Sequence, residues 1–227
     1  MSLSIADTKR EHNYVLPAYP LATGQPTISI PGYPAEDDQP MGETDFHARQ
    51  IITLSHQLRT FLEVNEHVYV GTDNFIYYQQ GNPSKKVAPD IYVVCGVDAI
   101  PARRSFYIWA EGVAPTVIFE FLSDGTANID RRAKRELYLK TIGIKEYFIH
   151  QPQGDRPSET RGWRKMEDRK ILEIPHQSPP WEDASGEPIA LFSEALNLWF
   201  IPEDQPDKVR LLRPYFSDGI PLPTQCH

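Results

Sequence analysis

The sequence predicts a mixed α/β (α+β) fold in which a central β-sheet is flanked by helices. Three observations predict it. The segments IYVVCGV (91–97) and TVIFEFL (116–122) are almost wholly apolar, as in strands covered on both faces. A helical pattern over 131–142 separates TVIFEFL from the strand-like EYFIH (146–150), the kind of crossover that joins parallel neighbours. An amphipathic helix over 44–63 precedes them, with Ile51, Leu54, Leu58 and Phe61 recurring in one apolar stripe.

The elements follow in order. Residues 1–42 are rich in Pro and Gly without a period and form an irregular N-terminal arm. A single domain spans 43–212, and 213–227 is a Pro-rich C-terminal tail. Thr44 or Asp45 can cap the first helix. Stepping its stripe back by four residues reaches His47, then Glu43, so both lie near the buried side where the helix begins. HVYVGTDNFIYYQ reads as two short strands joined in a hairpin at Gly71–Asn74. RSFYIWA (104–110) is ambiguous between strand and helix. Over 131–142, Asp130 is placed to cap the helix and Gly143 to end it. GWRKMEDRKILEI reads as a second hairpin turning at Glu167 and Asp168, LFSEALNLWFI as a helical turn leading into an edge strand, and KVRLLRP as the last strand.

A chain of 227 residues is long enough for one domain with a hydrophobic core. No apolar run approaches the roughly 20 residues that span a bilayer, and MSLSIADTKREHNYV has no basic segment followed by an apolar one. Cys95 lies inside an apolar strand and Cys226 next to last, which reads as a buried thiol in a reducing cytoplasm. The net charge of −8 argues against non-specific coating of nucleic acid. Two local concentrations of positive charge stand out: Arg131, Arg132, Lys134, Arg135 and Lys140, and Lys85, Lys86, Arg103 and Arg104. The ordinary reading of each is a solvated face, and nucleic-acid contact is the alternative.

Three residues do not belong where the pattern puts them. Glu120 is the one charge in TVIFEFL, between Phe119 and Phe121. A carboxylate buried there needs a proton, a partner or a metal. Asp90 opens the other apolar strand, and if the two strands are neighbours both carboxylates converge. Lys134 shares a helix face with Leu137 and Tyr138 and so points with the core, toward the preceding strand. Two carboxylates supply hard oxygen ligands for Mg2+ or Mn2+, and a lysine ammonium can stabilise charge developing on a phosphoryl group. The bland reading weighs equally on these grounds: a buried Glu–Lys pair, with Asp90 a surface turn residue.

The longer pattern is more specific. Pro89-Asp90 leads an apolar run; Glu120 follows 30 residues after Asp90 within EFLS; then come Asp130-x-x-x-Lys134, two residues, Leu137-Tyr138 and GIKEY. This resembles the PD-(D/E)xK nuclease superfamily, and within it the Uma family of restriction-endonuclease-like proteins, well over 43–150 and more loosely beyond. The resemblance implies a restriction-endonuclease-like fold, an Mg2+ or Mn2+ cofactor and DNA as substrate. It implies a metal held by Asp90, Glu120 and the backbone carbonyl of Phe121. Glu43 matches by position an early-helix acid that often assists. The lysine usually found two residues after the glutamate is Leu122 here; in the Uma-type pattern it has moved to the following helix, as Lys134. Ser123, Asp130 and Tyr138 also match and read as supporting residues. Ser123 ends the strand, Asp130 caps the helix and Tyr138 packs beside the site. His47 reads as a half-buried helix residue rather than a ligand. Nucleases that cut both strands are often dimers, which is the ground for expecting a homodimer. No membrane contact is expected. The competing expectation is a nuclease-fold binding module without catalysis, suggested by the acidic net charge and by Leu122.

Other chemistries find no support. There is no GxxxxGK[ST] or GxGxxG loop, no zinc-ligand spacing of His and Cys, and no nucleophile-elbow context around Ser123.

Overall fold

A computed structural model describes residues 14–35, 44–62, 64–122, 131–182 and 189–224. Helix α1 (Asp45–Leu62) opens at Thr44, whose hydroxyl accepts the His47 N–H at 3.3 Å. Its buried side carries the expected Ile51, Leu54, Leu58 and Phe61, and also Gln50 and Gln57. These two amides have a purpose. Gln50 Oε1 accepts the Leu212 N–H at 2.7 Å, and Gln57 Nε2 donates to the Leu222 carbonyl at 2.6 Å. Each satisfies backbone polar groups that burial would otherwise strand.

The strands are β1 (Val68–Thr72), β2 (Phe75–Tyr77), β3 (Lys86–Val87), β4 (Ile91–Cys95), β5 (Ser105–Tyr107), β6 (Val117–Phe121), β7 (Glu146–His150), β8 (Thr160–Lys165), β9 (Ile171–Ile174), β10 (Leu191–Ser193), β11 (Leu198–Asp204) and β12 (Arg210–Tyr215). Among the described residues they make a six-stranded sheet, β1-β4-β6-β7-β8-β9, and two three-stranded sheets, β10-β11-β12 and β3-β2-β5. The expected parallel pair is β6 and β7; β4 lies antiparallel on the other side of β6.

Period-two alternation divides the core. Ile91, Val93, Val117, Phe119 and Phe121 face α1 and the β10-β11-β12 sheet. Tyr92, Val94, Ile118 and Leu122 face the other way, toward Tyr138, Leu139, Ile142 and the small β3-β2-β5 sheet. Strands covered on both sides have no polar face, which accounts for their unbroken apolar sequence.

Several expectations change. The predicted hairpin at 71–74 does not form: β1 pairs with β4, whereas β2 leaves the main sheet to pair with β3 and β5. RSFYIWA divides into β5 and a four-residue helix, α2 (Ile108–Glu111). The helix expected over 131–142 is α-helical only as α3 (Arg131–Glu136) and continues as a wider π turn (Leu137–Ile142). There the N–H groups of Gly143 and Ile144 both reach the Tyr138 carbonyl, at 2.9 and 3.1 Å. Gly143 ends the turn at φ 89°, a left-handed conformation that glycine adopts without steric cost. In LFSEALNLWFI the expected helical turn is instead β10 followed by a tight connection to β11. Beyond residue 212, β12 runs on to Tyr215, and Phe216 and Leu222 are buried in the core. Residues 14–22 of the arm also pack, with Tyr14, Leu16 and Tyr19 against the α1 side. Arg103 is no surface cation: its side chain is buried in an ion pair with Glu111. No described helix is long and apolar enough to cross a membrane.

Candidate active site

Topology brings Asp90, Glu120 and Lys134 to one end of the main sheet. Strands β4 and β6 pair with Ile91 opposite Phe119, so the next step outward sets Asp90 opposite Glu120. Both are buried, at 8% and 7% exposure, which removes the reading of Asp90 as a surface turn residue. Asp90 Oδ2 accepts the Phe121 N–H at 2.5 Å and lies 3.0 Å from His47 Nε2. It is thereby fixed between the start of α1 and the end of β6.

Glu120 shares the parity of Ile118 and faces the helix that follows β6. Lys134 Nζ donates to Glu120 Oε2 at 3.2 Å, and the Tyr138 hydroxyl donates to Oε1 at 2.5 Å. Lys134 and Tyr138 are four residues apart, one helical turn, so a single helix face delivers both donors. Mid-helix π turns recur at functional positions, and this one begins where Tyr138 meets Glu120.

Burial pushes the Glu120 carboxyl up to about 7, reinforced by the negative charge of Asp90. Lys134 and the Tyr138 hydroxyl pull the other way. Tyr138 itself is raised well above the usual phenol range by burial and by Glu120. Beneath the site, His150 stands opposite Phe121 on β7, with Nδ1 2.8 Å from Thr160 Oγ1 and Nε2 2.9 Å from the Arg210 carbonyl. Burial lowers its pKa to about 4 and keeps the ring neutral.

The residues that sequence reasoning singles out, Asp90, Glu120 and Lys134, do come together, and two neighbours matter more than it suggests. Tyr138 is expected only to pack beside the site, yet its hydroxyl bonds Glu120; its four-residue spacing from an inward lysine is the signal that could have found it. His47 is expected as a half-buried helix residue, and its ring meets Asp90. The backward extension of the α1 stripe points that way. Glu43, Ser123 and Asp130 lie outside the described residues.

The donor chemistry suits a hard divalent cation. Two carboxylates at one sheet position repel each other, which a bound cation relieves. Among the described residues no group of three or more His, Cys, Asp or Glu side chains is arranged to hold a metal. A cation here would therefore rely on Asp90, Glu120 and a backbone carbonyl.

No curated protein matches the sequence. A solved structure from Anabaena variabilis ATCC 29413, titled a "putative nuclease belonging to DUF820", is similar at 13% identity and a TM-score of 0.42, over 61% of this chain and 72% of that one. The family model described as "Putative restriction endonuclease" matches residues 38–161, which hold Asp90, Glu120 and Lys134. That match spans more than half of the sequence, and the chain belongs to this family, Uma2.

Proposed function

We propose that this chain is an Mg2+- or Mn2+-dependent endonuclease that hydrolyses phosphodiester bonds in DNA. One observation carries the reading: Lys134 turns inward onto Glu120, beside Asp90 and across the β4–β6 pair. Asp90, Glu120 and the Phe121 carbonyl would hold the cation. The chemistry it would supply there is Lewis acidity toward a phosphoryl oxygen and toward a water. Lys134 stabilises negative charge on the phosphoryl group as water attacks phosphorus and the sugar oxygen leaves. Lys134 also supplies a donor that can orient the attacking water. Tyr138 positions Glu120, and His47 with the Phe121 amide positions Asp90. Purified protein incubated with Mn2+ and supercoiled, linear and single-stranded DNA tests this, against Asp90→Ala prepared identically. Cleavage above that control is the expected result; its absence on every DNA form ends the proposal.

Two observations favour a second reading, a nuclease-fold binding module without catalysis. Both Glu120 oxygens are already satisfied within the chain, and Leu122 stands where a lysine would reinforce the site. Calorimetric titration with Mn2+ separates the two. Binding that Glu120→Ala abolishes supports the nuclease, whereas no binding supports the module.

A further inference from the structure

On the opposite flank of the same helix, between the π turn and the β8–β9 hairpin, lies an open groove of about 510 Å3. Four cations line it, Arg135 and Lys140 from the helix and Arg169 and Lys170 from the hairpin turn. Its two carboxylates are answered within the chain. Glu136 pairs with Lys140, and Glu173 with Arg161 at 2.8 Å. Asp168, on the same turn, pairs with Lys170 at 2.7 Å. Counted with it and with Arg161, five cations stand against three carboxylates, which leaves the groove positive on a chain whose net charge is −8. Both carboxyls are held below their ordinary range, Glu136 chiefly by Lys140 and Glu173 chiefly by Arg161, with Arg135 adding to each.

We infer that this groove seats the sugar–phosphate backbone of duplex DNA flanking the bond addressed by Lys134. The inference rests on the nuclease reading for its substrate and adds where that substrate is gripped. Lys134 and Arg135 are consecutive: one meets Glu120, the next lies with its guanidinium 5.4 Å from the Trp163 ring centre, in the groove. Arg135 to Lys140 spans roughly 8 Å of helix, so one element carries both the chemistry and the grip. The aromatic floor argues for backbone rather than bases. Trp163 is stacked on Tyr147, with ring centres 5.7 Å apart, and it is also approached by the guanidinium groups of Arg135 and of Arg161 at 5.0 Å. A buried ring so occupied is no platform for an unstacked base, which is how single strands are held. Duplex DNA presents about one negative charge per 1.7 Å along its axis, the densest complement to such a groove.

The test uses the full chain in EDTA, where a metal-dependent nuclease cannot cut, and a fluorescein-labelled 30-base-pair duplex followed by anisotropy across a salt series. Arg169→Glu/Lys170→Glu reverses two exposed charges on the hairpin turn; Lys85→Glu/Lys208→Glu makes the same change in charge at exposed positions elsewhere. The milder Arg169→Ala/Lys170→Ala, with circular dichroism on every variant, guards against misfolding. The groove reversal should weaken binding at least tenfold and lower the slope of log affinity against log salt by about two, near 0.9 for each phosphate the protein no longer neutralises. The control pair should change affinity less than threefold. Equal effects of the two reversals, no duplex binding by the wild type at 50 mM salt, or tighter binding of RNA of the same length would each overturn the inference. Its failure is separable from that of the nuclease reading. A chain that cuts DNA with Mn2+ but ignores the groove variants loses only the groove, and one that grips duplex through the groove but never cuts loses only the nuclease.

Discussion

Lys134 Nζ reaches Glu120 Oε2 at 3.2 Å, 14 residues along the chain, and the two ends of this pair differ in environment. The glutamate side chain is 8% exposed and the lysine 32%, so the carboxylate is desolvated while the ammonium still touches water. Lys134 can therefore turn from Glu120 to an incoming phosphate without crossing the core. Replacing it with Ala should lower Mn2+-dependent cleavage on the order of 100- to 1,000-fold, the usual cost of losing one electrostatic donor to a developing charge. Lys134→Arg should retain part of the activity. Kinetics on a single duplex, with DNA affinity measured in EDTA, checks this: binding should fall far less than turnover. Equal losses in both would mark Lys134 as a binding residue only.

Glu120 makes the site pH-sensitive. Its carboxyl is raised to about 7, first by burial and then by Asp90, whereas the unfolded chain titrates near 4.5. A divalent cation held there would require the ionised form, so on the proposed function Mn2+ affinity should climb as pH rises from 6 to 8 and level off above. The sign for folding is the opposite. Between about 4.5 and 7 the folded state keeps a proton that the unfolded state has lost, so the stability tied to Glu120 is full below that window and falls as pH rises through it. Glu120→Gln should bind no Mn2+. Without metal it should also melt higher than the wild type at pH 8, with the difference narrowing toward pH 5. Calorimetry and thermal melts over this range measure both, and a pH-independent Mn2+ affinity in the wild type would contradict the assignment.

Tyr138 offers a finer test, because the hydroxyl can be removed without the ring. Its packing on Tyr147, with ring centres 5.1 Å apart, survives in Tyr138→Phe, while the 2.5 Å bond to Glu120 disappears. A hydrogen bond to a charged group contributes about 1.5–3 kcal/mol. That bond holds the Glu120 pKa down. The variant should need a higher pH for half-maximal Mn2+ binding and lose affinity on the order of tenfold at pH 7, with a melting temperature lowered by only several degrees. A fall in melting temperature with an unmoved pH midpoint would leave Tyr138 as packing alone.

Much of this arrangement is legible in the chain because charge inside an apolar strand is rare enough to be a signal. Glu120 between two phenylalanines, and Lys134 in phase with Leu137 and Tyr138, announce themselves by breaking a pattern. The partition of strands among sheets is not legible. The residues of β1 and β2 read as a hairpin, yet β1 takes β4 as its partner and β2 pairs with β3 and, in parallel, with β5; these are pairings that local alternation does not encode. The π turn is equally hidden: a 3.6-residue spacing sets Thr141 on the face of Lys134, Leu137 and Tyr138, whereas the wider turn leaves Thr141 exposed and buries Leu139 and Ile142. The partnership of Arg103 with Glu111 escapes as well. A guanidinium eight positions from its carboxylate, in a segment that could be strand or helix, looks like surface charge until folding buries it.

That buried pair supports the last prediction. The Arg103 side chain is 0% exposed and Glu111 1%, with Nε and Nη2 donating to the two carboxylate oxygens at 2.5 and 2.9 Å. Nη2 also donates to the Asp98 carbonyl at 2.9 Å, and the guanidinium lies 4.3 Å from the Tyr69 ring centre. The Glu111 carbonyl accepts the Gly24 N–H at 3.0 Å, so the N-terminal arm is anchored on the same short helix. Arg103→Met leaves a buried carboxylate without its partner and should cost about 3–5 kcal/mol in urea unfolding. Arg103→Lys should recover little, because an ammonium cannot reproduce the two parallel bonds. Arg103→Met with Glu111→Leu should regain most of the loss, since removing both charges removes the desolvation penalty. The single variants should also expose the segment around Gly24 to limited proteolysis, and the double variant should protect it again. A single Arg103→Met variant within about 1 kcal/mol of the wild type, well under the cost of stranding a buried charge, would show that the pair is dispensable and that the arm is held by apolar packing of residues such as Tyr14 and Tyr19.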